Sequence, residues 1–296
     1  MKPLYIAAVA DYVERIDDAA PPADLKPLVV DAVGSSVRRI GRFIQLALIA
    51  AGRCATSAPL NPDTAVYLGS GRGDLEVTIE VMQTLLRDGQ APKPLSFINT
   101  VSNAACYYVA QNLKVVGRSS FVCNRYFAFE AVLQLAALDL ESGSVRSALI
   151  GTVDVVVPPL AGHRIRLGLG TQTEVADASH WLQLRTEASA QALGQLRASE
   201  FFPDRSALEA WLTTQPTNDD WLLATGQFME KIEAEEWASK LKLEVFDYRS
   251  ARGYYDSQSG AVISGYLRGS DERTLLHLNR DPSGRYSAMV ITRRTE

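Results

Sequence analysis

The side chains in this 296-residue chain best suited to covalent or metal chemistry are three cysteines and three histidines. Their spacing restricts what they can do. His163, His180 and His277 stand far apart and share no ligand spacing with one another or with Cys54, Cys106 and Cys123. Neither the Cys-x-x-Cys pair nor the closely spaced histidines of zinc sites are present, so the sequence suggests no metal centre and no cofactor. Three thiols cannot all pair within the chain, and their apolar or helical settings fit a reducing compartment, the cytoplasm. The run Gly69-Ser70-Gly71-Arg72-Gly73 follows a short apolar stretch and invites comparison with phosphate-binding loops. The dinucleotide fingerprint, however, needs glycine where Asp74 stands, and the Gly-Lys-Ser/Thr of a P-loop is missing. An acid at the start of the following helix would also repel phosphate. The run is read as a tight strand-to-helix turn.

Composition narrows the function classes. With 47% hydrophobic and 22% charged residues, 20 glycines and 13 prolines, the chain is an ordinary globular sequence. Its net charge of −4 and the shortness of its basic runs, Arg38-Arg39 and Arg293-Arg294, argue against a nucleic-acid partner. No apolar run approaches the ~20 residues that cross a bilayer. The start, MKPLYIAAVADY, meets an acid at Asp11 and lacks a signal-peptide core.

Hydrophobic periodicity alternates strands and helices. Strands are expected at Lys2–Val9, Thr64–Leu68, Ser119–Cys123, Ser147–Val157 and Ser179–Arg185. Helices are expected at 36–52, from the Gly69 turn to Leu86, at Thr100–Leu113 and at Arg125–Leu140, the last closed by Ser142-Gly143. The middle, from Ala161 to about Asp177, reads as irregular, with a helix later at Ser206–Leu212. The pattern restarts near residue 218: strand Trp221–Ala224, helix Glu230–Leu241, strand Leu243–Phe246, helix Ser257–Leu267, and a hairpin of Thr274–Asn279 and Tyr286–Arg293. This is an α/β protein with central sheets. It reads as one unit: an N-terminal half over 1–157, an irregular connection over 158–217 and a reduced second half over 218–296. No residue-level repeat is visible.

Asn103-Ala104-Ala105, Gly117-Arg118-Ser119, Ser142-Gly143 and Ala148-Leu149-Ile150-Gly151 fall at telling intervals within Phe97–Val153. That segment resembles the N-terminal half of β-ketoacyl synthases of the thiolase-fold superfamily. The Leu68–Gly73 turn, Arg38-Arg39 before an apolar helix and the first strand extend the resemblance. It implies a thiolase-like fold, with two βαβαβ-type halves in α-β-α-β-α layers and a shortened C-terminal half.

In that family a cysteine at a helix N-terminus carries the acyl group, where free amides stabilise thiolate and oxyanion. Counting forward from Gly117 or back from Ser142-Gly143 puts Tyr126 in its place, and a phenol is a poor acyl carrier. Cys123, three residues earlier, is the alternative nucleophile. The family's two catalytic histidines correspond to Thr225 and Tyr254, and its lysine to Arg249. The resemblance therefore implies a synthase scaffold without its bond-making groups. Members of the superfamily pair across the strand corresponding to Ser119–Val122, and some pairs combine an active ketosynthase with a chain-length-factor subunit that lacks the cysteine. A heterodimer of this type is expected, in fatty-acid, type II polyketide or aryl polyene biosynthesis, with an acyl carrier protein as a further partner. Phe121, Cys123, Phe127 and Phe129 are the candidates for its interface or acyl tunnel. The alternatives are a condensing enzyme or acyltransferase using Cys123, and a homodimer that binds an acyl carrier protein or an acyl ligand.

Overall fold

The computed structural model describes residues 3–216, 220–246, 248 and 253–294. Strand β1 (Leu4–Ile16) is followed by α1 (Lys26–Val33), α2 (Arg42–Ser57), β2 (Ala65–Ser70), α3 (Leu75–Leu86), α4 (Pro94–Asn99), α5 (Ala104–Leu113) and β3 (Ser119–Cys123). Then come α6 (Ala128–Glu141), β4 (Ser147–Asp154), α7 (Leu160–Leu167) and β5 (Val175–Arg185). The remainder comprises β6 (Gly194–Phe202), α8 (Arg205–Leu212), β7 (Trp221–Thr225), α9 (Lys231–Leu241), β8 (Glu244–Val245), α10 (Ser259–Arg268), β9 (Thr274–Arg280) and β10 (Tyr286–Arg293).

The strands hydrogen-bond in the order β3-β2-β4-β5-β1-β6-β10-β9-β7-β8. Outward from the centre, β1-β5-β4-β2-β3 on one side matches β6-β10-β9-β7-β8 on the other. In each half the first strand pairs antiparallel with the fifth and the fifth with the fourth, while the second runs parallel to the fourth and the third. The halves join through antiparallel β1 and β6, with Leu4 opposite Leu196. The chain is thus a topological duplication with its seam between β5 and β6, not near residue 218. The segment 158–217, expected to be irregular, holds α7, β5, β6 and α8. Strand β6 escapes periodicity for a physical reason. Its pairing with β10 skips Arg197 at a bulge, which breaks the alternation of inward and outward residues.

Three apolar layers fill the spaces between sheets and helices. α6 and α10 lie in the middle, where Phe129, Val132, Leu133, Val262 and Ile263 pack against residues of both half-sheets. α1, α2 and α5 cover the outer face of the N-terminal half-sheet, and α8 and α9 that of the C-terminal one. The α-β-α-β-α stacking follows. Layers on both sides explain why β2 and β4 are buried at every position and read as continuous apolar runs. Gly151 in β4 is required by this closeness, because a Cβ there would lie 2.1 Å from the Trp181 ring.

The first strand runs seven residues past its expected end at Val9, pairing with β5 as far as Ile16 opposite Val175. Its acid Glu14 is accommodated by Arg42 at 2.5 Å, and Arg42 also bonds the buried Asp177. At one end of the order, β3 is an edge strand. Around it α3, α4, α5 and the turn between the last two expose Met82, Leu85, Leu86, Phe97, Ile98, Val101 and Tyr107, with Leu86 71% and Phe97 60% accessible.

Candidate functional site

Strand β3 delivers the chain into Asn124, whose Oδ1 accepts hydrogen bonds from the amides of Tyr126 (3.2 Å) and Phe127 (3.1 Å). This turn delays α6 to Ala128, three residues later than its apolar periodicity suggests. Amides at such a helix start are the donors an acyl-transfer oxyanion needs. Here both already point at a side-chain carbonyl. The Tyr126 ring packs edge-on against Phe228, with centroids 4.9 Å apart, and lies 5.3 Å from the Arg125 guanidinium. Arg125 in turn donates to the Leu167 carbonyl at 2.7 Å. Asn279, at the end of β9, donates to the Tyr126 carbonyl at 3.0 Å. The phenol is therefore clamped between the two halves.

Beneath it the halves are joined by polar side chains. The Asn279 amide also donates to Glu130 Oε1 at 2.7 Å, and Ser259 Oγ donates to the same oxygen at 2.6 Å. Gly226 makes room for the amide, since a Cβ there would meet Asn279 Oδ1 at 2.0 Å. The topologically equivalent strand end, β4, supplies Asp154. One of its oxygens accepts from Ser70 Oγ (3.1 Å) and the Gly71 amide (2.9 Å), and the other from the Ser257 amide (2.8 Å). Each fourth strand thus sends one polar side chain to the start of the other half's central helix. Asp256 completes the joint, accepting from Arg72 Nε (3.0 Å) and the Tyr254 hydroxyl (3.1 Å). The cavity lined by Arg72, Asp154, His163, Tyr254 and Asp256 measures about 20 Å³. That is room for one water, not for a thioester.

Burial sets the electrostatics of the joint. Burial pushes the Asp154 carboxyl well above the usual carboxylate range, and the charge of Asp256 adds to the shift. Burial raises Asp256 as well, with Arg72 opposing. Burial raises the Cys123 thiol, Asp154 and Asp256 add to that, and Arg72 only partly offsets it. This is the wrong direction for a thiolate. The thiol, exposed at the end of β3, donates to the Gly71 carbonyl at 3.7 Å. His163 is held neutral, lowered to about 4 by burial and by Arg166, while its Nδ1 accepts from the Val157 amide. His180 Nε2 lies 2.9 Å from the Tyr255 hydroxyl, and His277 is buried within β9.

Of the residues singled out from sequence, Tyr126, Thr225 and Tyr254 converge on this joint. Thr225 is buried at the end of β7, its carbonyl bonded to the Tyr248 hydroxyl, and its loop carries Phe228 onto Tyr126. Arg249 lies outside the described residues. Phe121 and Cys123 lie on the edge strand. Phe127 and Phe129 instead turn into this chain's own core, Phe127 edge-on to Phe201. Arg72, Glu130, Asp154, Asp256, Ser259 and Asn279 are not evident from sequence. A signal existed for one: Glu130 is the sole charge between Ala128 and Leu138.

The turn reading of Gly69–Gly73 leads to a testable consequence. Asp74 caps α3, its Oδ1 accepting from the Val77 amide, while Oδ2 is buried without a hydrogen-bond partner. Burial pushes this carboxyl up to about 6. A carboxyl whose folded-state value is raised stabilises the fold below its unfolded value, about 3.9, and loses that contribution as pH rises through 6. Asp74→Asn keeps the cap and removes the charge. It is expected to raise the melting temperature at pH 7.5 and to leave it nearly unchanged at pH 4, as measured by calorimetry.

Two matched βαβαβ-type halves around a pair of central helices constitute the thiolase-like fold, the fold of β-ketoacyl synthases. No protein-family model matches the chain, and no curated protein matches it in sequence. Solved structures do match. The chain is similar to the ishigamide ketosynthase/chain length factor, at 15% identity over 99% of both chains with a TM-score of 0.75. It is similar to a type II polyketide synthase acyl-carrier protein in complex with its ketosynthase bound to the hexaketide, at 13% identity over 99% of both chains and a TM-score of 0.72. A β-ketoacyl synthase from Burkholderia phymatum matches at 13% identity over 100% of both chains, with a TM-score of 0.71.

Proposed function

We propose that this chain is a catalytically inert, chain-length-factor-like subunit that pairs with an active ketosynthase and shapes acyl-chain elongation. Its setting would be polyketide- or fatty-acid-type biosynthesis, aryl polyene pathways included. One observation carries the reading: the elbow amides are bonded to Asn124 behind a clamped Tyr126, at the point where the resemblance calls for a reactive sulfur and an oxyanion hole. In this reading Thr225 and Tyr254 stand for the lost histidines and Arg249 for the lysine. Support for a partner comes from the free edge of β3 and the apolar residues exposed around it, a surface that a second sheet edge and a second set of helices would cover. Among the similar structures, one is titled a ketosynthase with a chain length factor and another an acyl carrier protein with its ketosynthase, which favours the same kinds of partner here.

Co-expression with candidate ketosynthases from the same genome is the test. A one-to-one complex that survives gel filtration is expected. A stable homodimer that ignores the ketosynthase would instead support the reading of an acyl-ligand or carrier-protein-binding module.

A further inference from the structure

Helices α6 and α10 start close together, and Glu130 sits where they meet. It lies one turn beyond Tyr126, 2% accessible, with Ser259 Oγ and Asn279 Nδ2 both donating to one carboxyl oxygen. Around this group the layer is hydrocarbon: Phe129, Val132, Leu133, Val262 and Ile263. An alkyl chain led from position 126 into that layer must pass the first turn of α6. There it would strip the bonds from a buried hydroxyl, an amide and a carboxyl and offer nothing in return, the costliest way to treat buried polar groups. Asn279 cannot swing aside freely, because it is wedged over Gly226 and also holds the Tyr126 carbonyl. The neighbouring cavity, about 20 Å³, offers no other route.

We infer that Glu130 closes the interior of this chain to acyl chains. The inference rests on the pairing reading above but is tested apart from it. Burial disfavours the charged form of this carboxyl, and the bonds from Ser259 and Asn279 partly offset that.

The probe is a diazirine-bearing palmitic acid, photolysed with the full chain and mapped by peptide mass spectrometry. Wild-type protein is expected to carry no label in Ala128–Ala137 or Ser259–Leu267, the stretches of the two helices that face the interior. Glu130→Ala, which removes the polar group and opens space, is expected to gain label in both stretches. Glu130→Gln keeps an acceptor for Ser259 and Asn279 and is expected to stay unlabelled, which a purely structural role would not require. Asn279→Ala breaks the same web without altering α6, and serves if Glu130→Ala fails to fold. Label in those stretches of the wild type would overturn the inference, as would unlabelled stretches in both alanine variants. If the wild-type stretches label while the ketosynthase complex still forms, the closure fails and the pairing stands. If no complex forms and the stretches stay dark, the pairing fails and the closure stands.

Discussion

Gly71→Leu is expected to cost this protein most of its stability. A Cβ at this position would lie 2.3 Å from Asp256 Cβ and 2.5 Å from its Oδ2, so even alanine collides and leucine cannot be placed. The displaced segment carries Ser257, whose amide bonds Asp154, and Asp256, the partner of Arg72. Overpacking costs about 1–3 kcal/mol. Separating a largely buried ion pair costs roughly 3–5 kcal/mol more, so a combined loss on the order of 5 kcal/mol is expected in urea unfolding. Gly170→Ala is the control, because its Cβ would meet only Thr173 Oγ1 at an ordinary 3.6 Å. Equal stability of the two variants would mean that the joint between the halves is not as close as described.

The second large effect concerns association. Phe97 and Ile98 on α4 are 60% and 57% accessible and contribute little to this chain's own core. Phe97→Asp combined with Ile98→Asp should therefore leave the fold intact. If the face beside β3 meets a ketosynthase, two buried charges replace two apolar anchors, and such anchors are worth ~2 kcal/mol or more each. Affinity should fall by ~1,000-fold or more, enough to abolish co-purification. Ile165→Asp, on α7 and 78% accessible, is the matched surface control and should pair normally. A Phe97/Ile98 double variant that still co-purifies would place the interface elsewhere.

Much of the architecture was readable from sequence where periodicity was clean. β3 lies at Ser119–Cys123 as expected, α3 ends at Leu86, and the terminal hairpin falls within one residue of its expected bounds. The failures share a cause: local pattern yields to tertiary pairing. β1 continues through Asp11 and Glu14 because β5 supplies a partner strand as far as Ile16 and Arg42 takes the acid. The seam between halves escapes periodicity because the bulge at Arg197 hides β6, and α1 and α4 are short helices that Pro27 and Pro94 start. At the site, counting within the resemblance points to Tyr126, Thr225 and Tyr254, which the fold brings to one joint. Counting does not reach the polar side chains of that joint. Asp154, Asp256 and Asn279 are ordinary acids and amides near element ends, and only the return of the second half onto the first gives them partners. Glu130, a lone charge on an apolar helix, was the one visible anomaly.

The central claim, that this chain forms no bond to an acyl group, is tested most directly by intact-mass measurement of the co-purified pair after incubation with an octanoyl thioester. The account predicts one added octanoyl group on the ketosynthase and an unchanged mass for this chain, Cys123 included. An octanoyl adduct on this chain that forms as fast as the partner's would contradict it.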